Sequence, residues 1–310
     1  MTRVAAIDCG TNTIKLLIAD LDAVTGSEHD LVREMRIVRL GQDVDRTGRL
    51  ADEALARVFG AIDEYAALIS SHNVDALRFC ATSAARDASN ADVFASGVES
   101  RLGVVPEVVT GDEEAQLAYD GATRSCDGLD LPTPHLVVDI GGGSTGLILG
   151  AGHGNVESAR SMDIGSVRMT ERYLVSDPPT QAEVIAATTA IDEALHGLDS
   201  HGTRVLTARS FIGVAGTITT VAAAVLDLPS YQRDRIHHAN LPVAAVHAAT
   251  ERLLRMTVAE RIALPFMHPG RADVIGAGAL ILDRVLRCTT VDSMLVSEAD
   301  ILDGIAWSSA

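Results

Sequence analysis

Two segments of the chain have the same pattern. "VAAIDCGTNTIKLLIAD", beginning at residue 4, and "LVVDIGGGSTGLILGA", beginning at residue 136, each read as an apolar strand, an Asp-x-Gly, a short polar turn and a second apolar strand. Aligned, Asp8 stands opposite Asp139 and Gly10 opposite Gly141. Taken singly, the glycine run at 141–143 has two readings. It is a hairpin turn, or it is a place where backbone closely approaches another group, because glycine's conformational cost is usually accepted only for such reasons. The duplication favours the second reading. Two equivalent loops would aim backbone N–H groups and Ser/Thr hydroxyls at phosphate.

The elements after each loop fit the same duplication. In the first half come a third strand, a helix over "ADEALARVFGAIDEYAALISSH", the strand "DALRFCAT", the helix "ASNADVFASGVESRLG", the strand "VPEVVTG" and the helix "DEEAQLAYDGAT". That order is βββαβαβα. Residues 126–134, "CDGLDLPTP", have linker composition. The pattern then restarts with three strands, helices over 166–175 and 180–198, a strand over 210–216, helical stretches from 217 to 286, a strand over 291–297 and a closing helix. The expected fold is α/β: two duplicated βββαβαβα domains, 1–127 and 128–310, with a cleft between their facing loops. The closing helix, near 298–310, is expected to pack back on the first domain.

Composition excludes several functions. A 47% hydrophobic chain of 310 residues has material for a large core and is not disordered. A net charge of −17 argues against general nucleic-acid or membrane-surface binding, and 3% aromatic residues against a base-stacking platform. It does not exclude a phosphorylated ligand, since charges beyond about 8 Å are largely screened at physiological salt. The four cysteines are widely separated and form no CxxC, so neither a zinc site nor a redox pair is indicated. No signal peptide or membrane-spanning run is read, and a cytoplasmic setting is expected.

Six ordered motifs carry a family resemblance. "DCGTNT" (8–13), "ATSAARDASN" (81–90), "TGDEEAQLAYDG" (110–121), "DIGGGST" (139–145), "GVAGTITTVAA" (213–223) and "PGRADVIGAGALIL" (269–282) resemble the exopolyphosphatase and guanosine pentaphosphate phosphohydrolase family. That family lies within the actin, sugar kinase and Hsp70 ATPase superfamily. The resemblance covers essentially the whole chain and implies the short form of two actin-like (RNase H-like) domains. It also implies a phosphoanhydride hydrolase using Mg²⁺ or Mn²⁺, acting on inorganic polyphosphate or guanosine pentaphosphate, and working as a homodimer.

The resemblance assigns roles by residue. Glu114 matches the glutamate that activates water. Thr110 and Glu113 have capping-box spacing, which would leave Glu114 free for the site; on spacing alone both glutamates equally suit a helix N-terminus. Asp139 and Asp8 end the two opening strands and are expected to hold metal or orient water, Asp139 with a catalytic part; a turn-capping aspartate is the alternative. Phosphate is expected to meet Gly10, Thr11, Asn12 and Thr13 in one loop and Gly141, Gly142, Gly143, Ser144 and Thr145 in the other. Lys15 and Arg86 are the expected cations, Arg86 because a guanidinium fork suits phosphate oxygens.

One departure stands out. The family usually continues the second loop with a glutamate, and Gly146 occupies that position. The absence puts metal binding and rate in question. The glycine has a second explanation, a positive-φ backbone that glutamate adopts poorly. The readings left open are an exopolyphosphatase, a guanosine pentaphosphate phosphatase, a kinase of the same superfamily and a low-turnover binding or sensor protein.

Overall fold

Thr2–Cys9 (β1) and Thr13–Asp22 (β2) pair antiparallel, and Ser27–Ile37 (β3) extends the pairing outward from β2. The structure, a computed structural model, describes residues 1–200 and 205–310. The chain continues through Val44–Thr47 (α1), Asp52–His72 (α2), Ala76–Ala81 (β4), Ser83–Asp87 (α3), Ala91–Leu102 (α4), Glu107–Val108 (β5) and Gly111–Ser125 (α5). The resulting five-stranded sheet has the order β3-β2-β1-β4-β5, with β4 parallel to β1 and β5 parallel to β4. One compact unit comprises residues 1–121 and 301–310; the other comprises 122–300.

Alternation along β1 buries this central strand on both faces of the first sheet. Ala5 and Ile7 pack with Leu55, Val58 and Ile62 of α2, while Val4 and Ala6 pack with Leu117 and Ala118 of α5. Successive side chains point to opposite faces, so a strand covered on both sides reads as a continuous apolar run. The second face is completed by the C-terminal helix Ile301–Trp307 (α13), whose Ile301, Leu302, Ile305 and Ala306 join the cluster around β1. Trp307 Nε1 donates to Glu28 Oε2 at 2.8 Å, and the Arg33 guanidinium pairs with Asp303, tying the helix to β3.

The second unit repeats the plan. His135–Ile140 (β6), Thr145–Gly150 (β7) and Val156–Met162 (β8) form the opening meander. Ser166–Tyr173 (α6), Gln181–Ser200 (α7), Ser210–Val214 (β9), Ala215–Val225 (α8), Arg233–Ile236 (α9), Asn240–Pro242 (β10), Val243–Arg255 (α10), Val258–Ile262 (α11), Ile275–Arg287 (α12) and Ser293–Val296 (β11) follow. The sheet order is β10-β11-β9-β6-β7-β8, the first sheet's arrangement with β10 added at one edge. The fold is therefore α/β, with two actin-like sheets.

The helical reading of 217–286 missed β10, which pairs antiparallel with β11 through Asn240↔Leu295 to Pro242↔Ser293. Three residues carry no usable periodicity. Pro242, lacking an N–H, fits an edge position and then starts α10. Among the described residues no helix is long and apolar enough to cross a membrane.

Gly304 sets how closely α13 lies on α5. A Cβ there would fall on the carbonyl and Cα of Leu117, which are backbone atoms and cannot rotate away. Gly304→Ala is expected to destabilise the protein by about 1–3 kcal/mol, the usual range for overpacking. Urea denaturation checks this; a midpoint equal to wild type would contradict the packing.

Candidate functional site

The two loops share one closure. Gly10 N–H donates to Thr13 O at 2.9 Å, and Gly141 N–H donates to Ser144 O at 3.0 Å. Each closure fixes the ladder beside it, placing Asp8 opposite Lys15 and Asp139 opposite Gly146. Cross-strand neighbours at such positions are close enough to interact directly.

In the first unit the loop's carbonyls face inward. Asn12 O accepts from the N–H groups of Val38 and Arg39, and Thr11 O accepts from Gly41 N–H at 2.9 Å. Thr11 Oγ1 lies 2.8 Å from Ser83 Oγ, buried against the start of α3. Thr11 and Asn12 donate their own N–H groups to no backbone acceptor among the described residues. Asn12 Oδ1 is buried without a partner, an unmet polar position of the kind a bound ligand would explain. Turned over, the same amide would present its NH₂ there.

The cations expected to meet phosphate are each beside a carboxylate. Lys15 Nζ lies 3.2 Å from Asp8 Oδ2, with side chains 16% and 7% exposed. Arg86 Nη1 donates to Glu114 Oε2 at 3.1 Å and to Val109 O at 2.9 Å. Thr110 and Glu113 do form the capping box: Thr110 N–H donates to Glu113 Oε2 at 2.9 Å, and Glu113 N–H donates to Thr110 Oγ1 at 3.2 Å. The Thr110 backbone and hydroxyl donors hold the Glu113 carboxyl below the usual range. Its neighbour is shifted the other way. Burial pushes Glu114 up from 4.5 to about 7; the Arg86 guanidinium opposes the shift, and the negative charges of Asp8 and Asp87 add to it. Adjacent glutamates on one helical turn thus have opposite characters, one a cap and the other a carboxylate able to gain and lose a proton near neutrality.

In the second unit the loop rests on α6. Ser166 N–H donates to Gly141 O at 2.9 Å, Val167 N–H to Gly142 O at 2.8 Å, and Arg168 Nε to Gly143 O at 2.8 Å. Thr145, fully buried, donates its hydroxyl to Ile164 O. With three carbonyls turned toward α6, the N–H groups of Gly142, Gly143 and Ser144 have no backbone acceptor among the described residues. Gly165 permits this seat, because a Cβ there would strike the Gly142 backbone. Sequence reasoning missed Gly165, Ser166 and Arg168; the Gly-Ser-x-Arg that follows β8 was the available signal.

Gly146 lies in β7 with no positive φ, so the turn explanation for this glycine is overturned. A Cβ would stand 3.4 Å from Ile148 Cδ1 and 3.9 Å from Asp139 Cβ, ordinary contact distances. The strand therefore has room for a Cβ at this position. For a metal, the described residues gather no cluster of three His, Cys, Asp or Glu side chains. Mg²⁺ keeps several waters and takes one or two carboxylates with phosphate oxygens. The donors present fit an ion shared with a phosphorylated ligand through Asp139; Asp8 is already neutralised by Lys15.

Comparisons with known proteins give a consistent result. The model of the Ppx/GppA phosphatase family matches residues 17–310. The chain is 46% identical to Exopolyphosphatase 2 of Mycobacterium tuberculosis, covering 100% of this chain and 99% of that protein. It is similar to the crystal structure of an exopolyphosphatase-like protein, with a TM-score of 0.95, 45% identity, and coverage of 99% of this chain and 97% of that one. It is likewise similar to the Aquifex aeolicus Ppx/GppA family member, with a TM-score of 0.82, 30% identity, and the same 99% and 97% coverage.

The shift at Glu114 has a consequence for stability. A carboxyl whose folded pKa lies above its unfolded value stabilises the native state when protonated, and that contribution is lost as pH rises through the folded pKa. Between pH 4.5 and about 7, wild type should therefore lose stability relative to Glu114→Gln, whose amide does not titrate. Melting temperatures of the two proteins across this range check the sign; a constant difference would contradict the buried setting.

Proposed function

The chain belongs to the Ppx/GppA phosphatase family, and we propose that it is an exopolyphosphatase, hydrolysing the terminal phosphoanhydride of inorganic polyphosphate to release orthophosphate. The observation that carries this reading is Glu114, half-buried, shifted to about 7 and held by Arg86 in the same unit as the first loop. The full-length likeness to a protein named Exopolyphosphatase 2 supports polyphosphate over guanosine pentaphosphate. A cytoplasmic homodimer is part of the same proposal.

Little covalent chemistry falls to the protein in phosphoryl transfer; charge must be held and water aligned. Glu114, as carboxylate, accepts a proton from water as its oxygen bonds to the terminal phosphorus. The bond to the bridging oxygen breaks, orthophosphate leaves, and the shortened chain keeps that oxygen. Arg86 fixes the direction of the carboxylate. The N–H groups at 11–12 and at 142–144 would each serve, within their own unit, as preorganised donors for phosphate oxygens. Thr13 belongs to the first set, and Ser144 and Thr145 to the second, Thr145 by fixing the loop through its hydroxyl. Lys15 compensates Asp8 while a polyanion is near. Mg²⁺, or Mn²⁺, would be held by Asp139 with phosphate oxygens and would supply charge neutralisation.

Glu114→Gln is expected to lower kcat by about 10²–10⁴-fold, the usual loss for a general base, with polyphosphate binding near normal. Glu113→Gln is expected to affect stability more than kcat. Orthophosphate release from polyphosphate, guanosine pentaphosphate and ATP side by side measures both variants and the substrate; a larger loss from Glu113→Gln would identify the wrong carboxylate. Full activity in excess EDTA would remove the metal from the proposal.

Gly146→Glu should fold normally and place a second carboxylate across the ladder from Asp139. It should raise kcat and lower the Mg²⁺ concentration giving half-maximal rate. An unchanged rate and metal requirement in a normally folded variant would mean that this position does not limit turnover.

A further inference from the structure

A register shift gathers charged residues of β3 on one face of the first unit. Ile18 pairs with Val32 and Ala19 with Asp30, so Leu31 is left over as a bulge. Plain strand alternation would send Asp30 and Arg33 to opposite faces. With the bulge between them, Leu31 and Val32 both pack with the cluster that holds α2. Glu28, Asp30 and Arg33 instead stand opposite Leu21, Ala19 and Leu17, the β2 residues that pack with α13.

The C-terminal helix α13 brings Asp303 and Trp307 to the same place. One guanidinium then meets three carboxylates, and it does not serve them equally. Arg33 Nε donates to Asp30 Oδ2 at 2.8 Å, and its two Nη groups donate to the Asp303 oxygens at 2.5 and 3.3 Å. Glu28 Oε1 is the most distant, 3.5 Å from Nη2. Its other oxygen accepts from Trp307 Nε1 at 2.8 Å. The Asp30 carboxyl lies within hydrogen-bonding reach of Glu28, which calls for a proton on one of the two. The groups facing Glu28 are thus Asp30 and Arg33 on β3, Asp303 and Trp307 on α13, and apolar side chains on β2.

By this geometry Glu28 is the carboxylate with the weakest hold on the cation. Its side chain is 24% exposed, although the backbone at this end of the edge strand is open to solvent. Burial of the side chain and the negative charge of Asp303 raise it from 4.5 to about 7; Trp307 opposes the shift and Asp30 adds to it.

We propose that Glu28, Asp30, Arg33, Asp303 and Trp307 form a pH-sensitive clasp that holds α13 on β3 more firmly when Glu28 carries a proton. With Glu28 ionised, Arg33 balances one negative charge of three; with Glu28 neutral, it balances one of two. Undocking α13 removes Asp303 and uncovers Glu28, returning it toward its ordinary value. A carboxyl raised in the docked state stabilises docking while protonated, and that contribution is lost as pH rises through about 7. The clasp does not depend on the phosphatase reading.

Trp307 is the one tryptophan of the chain, so its fluorescence reports the clasp directly. Emission of the full chain, followed from about pH 5.5 to about 8.5, is expected to show a transition with a midpoint near 7 that is absent in Glu28→Gln. Asp30→Asn keeps Glu28 and frees Arg33 for it, and should move the midpoint to lower pH. Hydrogen exchange of the 301–307 amides gives an independent reading. Protection in wild type relative to Glu28→Gln should fall by about tenfold from the acidic to the alkaline end of the range. An emission that stays constant in wild type, a transition that persists in Glu28→Gln, an unmoved midpoint in Asp30→Asn, or a protection ratio independent of pH would each overturn the proposal.

Discussion

Both sheets depend on the hydrogen bond that closes their first hairpin, from Gly10 N–H to Thr13 O in one and from Gly141 N–H to Ser144 O in the other. Closing the turn at that length sets the register of the central strands, and a slip of one residue would reverse the face of every side chain beyond it. With the register fixed, the apolar residues of β1 divide between two buried faces, and an aspartate falls at the loop end of each central strand. The same closure leaves the loop carbonyls engaged by neighbouring backbone and the N–H groups between them without backbone acceptors. A row of N–H groups without backbone acceptors is thus a by-product of making the hairpin.

The duplicated register also makes the difference between the halves plain. Lys15 and Gly146 are equivalent positions, each facing the loop-end aspartate of its own sheet. The first half neutralises its aspartate there, and the second half places no side chain. On the proposed reading, a loop that lacks a carboxylate would repel a polyanion less and offer one fewer ligand to a metal. Binding energy that is equal in ground and transition states does not speed the chemistry. On that reading, the combination would slow turnover of polyphosphate rather than weaken its binding.

Much of this was legible in the sequence, for identifiable reasons. The long strands and helices declare themselves through periodicity, and the paired Asp-x-Gly turns through repetition. The Thr110–Glu113 cap follows from a local spacing and appears in the structure at 2.9 and 3.2 Å. The features that stayed hidden depend on contacts distant in sequence. The Arg86–Glu114 pair joins residues 28 apart, which no local pattern announces. Gly165 and Arg168 look ordinary until α6 is seen to carry the second loop. The three residues of β10 are too few to give a pattern, and only their pairing with β11 defines them. Gly146 was legible as an absence, but that the strand has room for a Cβ there was not.

Desolvation raises Glu114 to about 7, and on this the proposed chemistry rests. The most direct measurement is kcat/KM for polyphosphate against pH, in wild type and in the residual activity of Glu114→Gln. A base must be ionised to work, so wild type should show a limb rising with pH, with an apparent pKa near 7, and the variant should lose it. A profile flat through neutrality in wild type, or the same limb persisting in Glu114→Gln, would contradict this role for Glu114.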